Sequence, residues 1–161
     1  MGRLAGLSLA GPLLVRQHQN TVSHHSLEID VPVVVFDGVC NLCNTAVQFI
    51  LDNETDQALH FAAAQSPAGQ RLLRRSGFDT EDIRTFVFML NGQCFTKAHA
   101  ATRVAEHLRY PWRAARILRF LPHPLLDWCY DRVANNRYQW FGKRDVCMTP
   151  RPGLQARFIV D

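Results

Sequence analysis

Val33-Val34-Val35-Phe36-Asp37-Gly38-Val39-Cys40-Asn41-Leu42-Cys43 is an apolar run that meets Asp-Gly and then a Cys-x-x-Cys opening a helical pattern. That order puts two thiols where a buried strand gives way to a helix. The first thiol sits at the positive end of the helix dipole, a setting that favours thiolate over thiol. A second thiol three residues on supplies what reversible disulfide exchange needs.

Around this junction the chain alternates strand and helix. Ile29 to Phe36 is apolar and β-branched, as in a central strand covered on both faces. Asn41 to Asp52 follows as a helix whose apolar face runs Cys43, Ala46, Val47, Ile50. This phase points Cys43 toward the core and leaves Cys40, at the helix tip, freer to meet solvent. Ala58 to Ala63 is a second strand. Ser66-Pro67 then caps a helix that Gly77 stops. Arg84 to Leu90 is a third strand, and Asn91-Gly92 turns it into Gln93 to Thr96. A helix over Ala98 to Leu108 and two proline-punctuated helices, 112–121 and 124–136, complete the chain. The pattern predicts an α/β domain of thioredoxin-like order (βαβα, then a β-hairpin and a helix) with additional C-terminal helices. Residues 29–150 form that single domain, 1–28 a disordered extension, and 151–161 a tail.

Composition sets the class. The 161 residues are 47% hydrophobic and 20% charged, which suits one globular domain with its own core. No apolar run approaches a bilayer-spanning length. Five cysteines, an odd count without even spacing, argue against a secreted disulfide scaffold. With no convincing export signal in the extension, the expected location is cytoplasmic. Residues 1–96 hold 6 Lys/Arg against 9 Asp/Glu, and residues 97–161 hold 12 against 5. Arginines 103, 109, 113, 116 and 119 make the second part basic. They read as the solvated face of amphipathic helices, with Ala114, Ile117, Leu118 and Leu121 as an inward stripe. Aromatics do not interleave with them as a nucleic-acid platform requires. Neither a nucleic acid nor a membrane is an expected partner. His18, His24 and His25 are incidental in a polar segment.

Asp37-x-x-Cys40-x-x-Cys43, with Phe36, Gly38 and Leu42 around it, resembles the opening motif of the DCC family of thiol-disulfide oxidoreductases. The resemblance continues through Pro111-Trp112, Tyr130, Val133-Ala134, Asn136-Arg137-Tyr138 and Phe141-Gly142, and ends at Cys147 and Pro150. It implies a thioredoxin-like fold and protein-disulfide reductase activity, with no cofactor. The partners to expect are a disulfide-containing protein or small thiol substrate and a cellular reductant.

On that footing Cys40 is the candidate nucleophile and Cys43 the resolving thiol. Asp37 accepts a proton from Cys43 or bonds the backbone N–H groups of the Asp-Gly turn. Gly38 is expected to adopt a backbone conformation barred to other residues. Thioredoxin-like oxidoreductases usually place a cis-proline before the strand facing the cysteines, but no proline lies between Pro67 and Pro111. Arg84 or Thr85 is expected to line the substrate site instead. Cys94 and Cys129 read as core residues, and Cys147 as either a third thiol near the site or packing. Two other classes remain. One is a metal-binding or redox-sensing module in which Cys147, Cys129 or a histidine joins the pair, although no metal is expected. The other is a non-catalytic interaction domain using its basic helices.

Overall fold

The computed structural model describes residues 31–80 and 85–161. The N-terminal extension, its histidines and Arg84 lie outside the described residues. Strands β1 (Val33–Phe36), β2 (His60–Ala63), β3 (Val87–Leu90) and β4 (Gln93–Thr96) form one sheet in the order β2-β1-β3-β4. β1 runs parallel to β2 and antiparallel to β3, and β3 pairs antiparallel with β4. Helices α1 (Asn41–Asn53), α2 (Pro67–Arg75) and α3 (Lys97–Ala105) fill the intervals of a thioredoxin-like fold. A 3-10 helix, Trp112–Phe120, and a long helix α4, His123–Phe141, follow.

β1 is wholly buried because helices cover both of its faces. Val34 and Phe36 enter one cluster with Val47 and Ile50 of α1 and with Ala100 and Val104 of α3. Val33 and Val35 enter the opposite cluster with Leu72 and Leu73 of α2. The period of two along the strand thus feeds two cores at once.

The turn chemistry is as the sequence implies. The Ser66 hydroxyl accepts the Gly69 N–H at 3.1 Å and caps α2. Asn91 and Gly92 take φ of 49° and 73°, the left-handed pair of a two-residue hairpin. α3 runs from Lys97, one residue before its expected start, to Ala105, three residues short of its expected end. The segment after Pro111 forms a 3-10 helix, and α4 runs to Phe141, a full turn beyond expectation.

The closing residues fold back along β2. The Ile159 N–H donates to the Phe61 carbonyl at 2.8 Å, and Phe158 stacks on Phe61 with ring centroids 5.5 Å apart. Arg157 pairs with Glu54 beside this edge. The exposed edge of β2 is covered in this way, as an open strand edge requires.

α2 sits very close to β2. A Cβ on Gly69 would collide with the Ala63 carbonyl oxygen and come within 2.8 Å of its carbon. Gly69→Ala must therefore push backbone off backbone, and we expect a loss of about 1–3 kcal/mol in urea unfolding. An unchanged midpoint would mean that α2 is free to slide.

Candidate active site

The site forms where β1 ends and α1 begins. Cys40 is the N-cap of α1, in extended backbone at φ −85° and ψ 122°, and its Sγ accepts the Cys43 N–H at 3.3 Å. Both thiols are free. Their exposure reverses the expectation: Cys40 is 0% exposed, whereas Cys43 is half-buried. Asn44 takes the inward place on α1 with Val47 and Ile50. The cause lies a hundred residues away. Lys143 forms an antiparallel bridge with Cys40, the Arg144 N–H donates to the Val39 carbonyl at 2.8 Å, and the Met148 N–H donates to the Gly38 carbonyl at 3.1 Å. The segment after α4 therefore lies over the first cysteine like an added strand.

Asp37 is the hub beneath the pair. Its Oδ1 accepts from Gln65 Nε2 at 2.8 Å and from the Val39 N–H at 3.2 Å. Its Oδ2 accepts from Arg137 Nη2 at 3.1 Å and from the Tyr138 hydroxyl. Asp37 and Arg137 are only 4% and 5% exposed. Arg137 is braced by the Ala134 carbonyl at 2.8 Å and by the Tyr138 ring, 4.4 Å away.

Burial alone would raise the Asp37 carboxyl. The hydrogen bonds from Tyr138, Arg137, Gln65 and the Val39 N–H outweigh it and hold the group below its ordinary value. Burial, the hydrogen bond to Asp37 and the charge on Asp37 push the Tyr138 hydroxyl up to about 12. Burial pushes the Cys43 thiol up strongly, and Cys40 and Asp37 add to the shift while Arg137 opposes it. Of the two roles expected of Asp37, the bond to the turn N–H is present. A depressed carboxylate with both oxygens occupied is a weak base for Cys43.

Cys43 opens into a cavity of about 80 Å³ lined with Asp37, Thr85, Phe86, Tyr130 and Arg137. Thr85 thus sits beside the second thiol, on the stretch where a proline was missing. The Tyr130 hydroxyl accepts the Phe86 N–H at 2.9 Å and ties α4 to the start of β3.

Gly38 lies in the turn without a positive φ, so its expected conformational role is not what it supplies. It supplies space. A Cβ there would overlap the Cys147 Sγ and lie 3.1 Å from Gln65 Oε1. This places Cys147 against the motif turn, where burial raises its thiol and the charge on Asp37 adds to the shift. Cys94 and Cys129 are exposed rather than core residues. Cys94 lies on β4, whose first two residues are exposed, and Cys129 faces outward on α4. Among the described residues, no group of three His, Cys, Asp or Glu side chains is placed to hold a metal ion. No described helix is long and apolar enough to cross a membrane.

Arg137, Tyr138 and Tyr130 belong to the stretch that carried the family resemblance, but nothing local assigned them to the site. Gln65 gave no signal at all.

The sheet order and the thiol pair at the β1–α1 junction define a thioredoxin-like domain with a Cys-x-x-Cys centre. Residues 34–143 match the family model for DCC1-like thiol-disulfide oxidoreductases, and the chain belongs to that family. The uncharacterized protein YuxK of Bacillus subtilis is 46% identical over 134 residues, covering 83% of this chain and 98% of that protein. A chloroplastic DCC family protein of Arabidopsis thaliana is 40% identical over 117 residues, covering 72% of this chain and 68% of that one. No solved structure matches at significance.

Asp37→Ala strands a buried guanidinium and should cost about 3–5 kcal/mol near neutral pH, read by urea unfolding. Because the folded carboxyl lies below its ordinary 3.8, its contribution is complete above that value and is lost as pH falls through the lower folded one. The gap between wild type and variant should therefore narrow in acid; an equal gap at acid and neutral pH would show that the charge pair is not its source.

Gly38→Ala should cost about 1–3 kcal/mol through overlap, and Cys147→Ala in the same chain should restore most of it. Failure of that rescue would return Gly38 to a conformational role.

Proposed function

We propose that the chain is a protein-disulfide reductase working through the Cys40/Cys43 dithiol. The observation that carries this reading is the capped pair itself. Two reduced thiols lie one helical turn apart at a helix N-terminus, with the Cys43 N–H donating to the Cys40 Sγ at 3.3 Å.

In the proposed reaction a Cys40 thiolate attacks one sulfur of a substrate disulfide. The S–S bond breaks, the departing thiolate takes a proton from solvent, and a mixed disulfide remains on Cys40. Cys43 then loses its proton to solvent and attacks the Cys40 Sγ. The second substrate thiolate leaves, and a Cys40–Cys43 disulfide forms. Two electrons have passed from the dithiol to the substrate, and an external dithiol returns them. The raised Cys43 thiol suits this order: it stays protonated through the first attack and competes poorly with Cys40. Asp37 is a positioning residue that fixes the turn bearing Cys40. Thr85 lies beside Cys43 and is the residue we assign to contact the substrate chain.

A redox titration of the purified protein, read by alkylation and mass spectrometry, should find a reversible Cys40–Cys43 disulfide. Its midpoint should fall between roughly −120 and −270 mV. Cys43→Ser should trap a mixed disulfide with reduced and denatured substrate protein through Cys40, and Cys40→Ser should abolish insulin reduction. A pair that never closes, or a Cys40→Ser variant with half its activity, would defeat the reading.

A further inference from the structure

The 3-10 helix Trp112–Phe120 is built of three arginines and six apolar residues, and none of the nine is buried. In a helix with three residues per turn, side chains at i and i+3 stack in rows. Arg113, Arg116 and Arg119 form one ridge. Ala114, Ile117 and Phe120 form the second, and Trp112, Ala115 and Leu118 the third. Of the stripe expected to face inward, Ile117 is 59% and Leu118 44% exposed, and Phe120 beside them is 75% exposed. Past Leu121, Leu125 and Trp128 of α4 are 50% and 66% exposed. Large apolar side chains exposed together in one stretch of chain point to an interaction site.

We infer that this elbow seats the protein on an anionic membrane surface. The arginine ridge matches the charge of phosphate headgroups, and the neighbouring Ile117–Phe120 ridge matches the acyl boundary below them, while the helix backs onto α3. Trp128 is of the type that settles at that interface, whereas Trp112 packs edge-on against Phe49. The groups facing the ridge leave its charge largely intact. Arg119 reaches Glu106 at 3.3 Å, and Asp131 on α4 is taken by Lys97 at 2.8 Å. Arg113 and Arg116 have no carboxylate partner among the described residues.

Other occupants fit less well. A second copy on a two-fold axis would bring like-charged ridges together. Residues 1–30 carry Arg3 and Arg16 against Glu28 and Asp30, and so bring no net negative charge. A nucleic acid would answer the arginines and stack on Phe120 or Trp128, but it would leave the exposed aliphatic Ile117, Leu118 and Leu125 without an apolar partner. A membrane seat departs from the expected partners and is independent of the dithiol chemistry.

The test is sedimentation of the full chain with vesicles of phosphatidylcholine, alone or with about one third phosphatidylserine, alongside tryptophan emission. Binding to the anionic vesicles should be at least tenfold stronger, with a blue shift, and should fall as salt is added. Arg113→Glu with Arg116→Glu should lose at least tenfold, and so should Ile117→Ser with Phe120→Ser. These side chains are exposed, so far-ultraviolet circular dichroism and insulin reduction in solution should not change. Equal or absent binding to the two vesicle types overturns the inference. A dimer that the Ile117→Ser/Phe120→Ser variant dissociates would assign the face to a second copy. Binding of single-stranded RNA, lost in the arginine variant and without vesicle binding, would assign it to nucleic acid.

Discussion

The buried ion pair between Asp37 and Arg137 is the contact on which the site depends. It joins the end of β1 to α4 across a hundred residues of chain, in surroundings that exclude water. An unpaired charge there would be costly, so each residue fixes the other. Once Asp37 is held, its second oxygen receives the Val39 N–H and the turn leading to Cys40 is set. Once Arg137 is held, α4 lies beside Cys43, with Tyr130 reaching β3. The same pair tempers the electrostatics of the thiols. The charge on Asp37 disfavours a Cys43 thiolate, and the guanidinium partly offsets it. The bonds made by the motif aspartate thus fix the turn that carries the first cysteine.

Gly38 extends the same logic. The turn accommodates Cys147 and the Gln65 amide only because no Cβ occupies that space. Three segments meet there: the β1–α1 turn, Gln65 in the turn after β2, and the stretch beyond α4. A missing side chain in the motif is what allows the C-terminal part to close over it.

Most of the fold was legible because its signals are local. Ser66-Pro67, Gly77 and Asn91-Gly92 act within a few residues, and the apolar run of β1 reports burial on both faces whatever covers them. The site was legible only at its thiols. Which cysteine faces solvent depends on residues 142–148, and no periodicity within α1 contains that information. The same holds for Arg137, whose partner lies a hundred positions earlier. Cys94 and Cys129 were misread because a strand or helix pattern gives the spacing of a face and leaves open whether anything packs on it. The arginine-rich segment failed for the same reason. Its apolar spacing implied a buried face, yet the segment lies against α3 and Phe49 with Ile117, Leu118 and Phe120 still largely exposed.

The covering of Cys40 bears on the proposed roles. The C-terminal part is held at two places. Phe158 is buried against Phe61 and Phe36, worth about 1.5–3 kcal/mol in burial alone, and Arg157 and the Ile159 N–H add to that anchor. Over the thiol run three backbone hydrogen bonds, from Asn41 to Gly142, Arg144 to Val39 and Met148 to Gly38. The Arg144 guanidinium bonds Asn41 beside them, and Met148 packs on the core. In the proposed reaction these contacts must open locally before a substrate disulfide reaches the Cys40 sulfur. The anchor at β2 shares none of those bonds, so such an opening does not require the covered edge of β2 to part from the sheet.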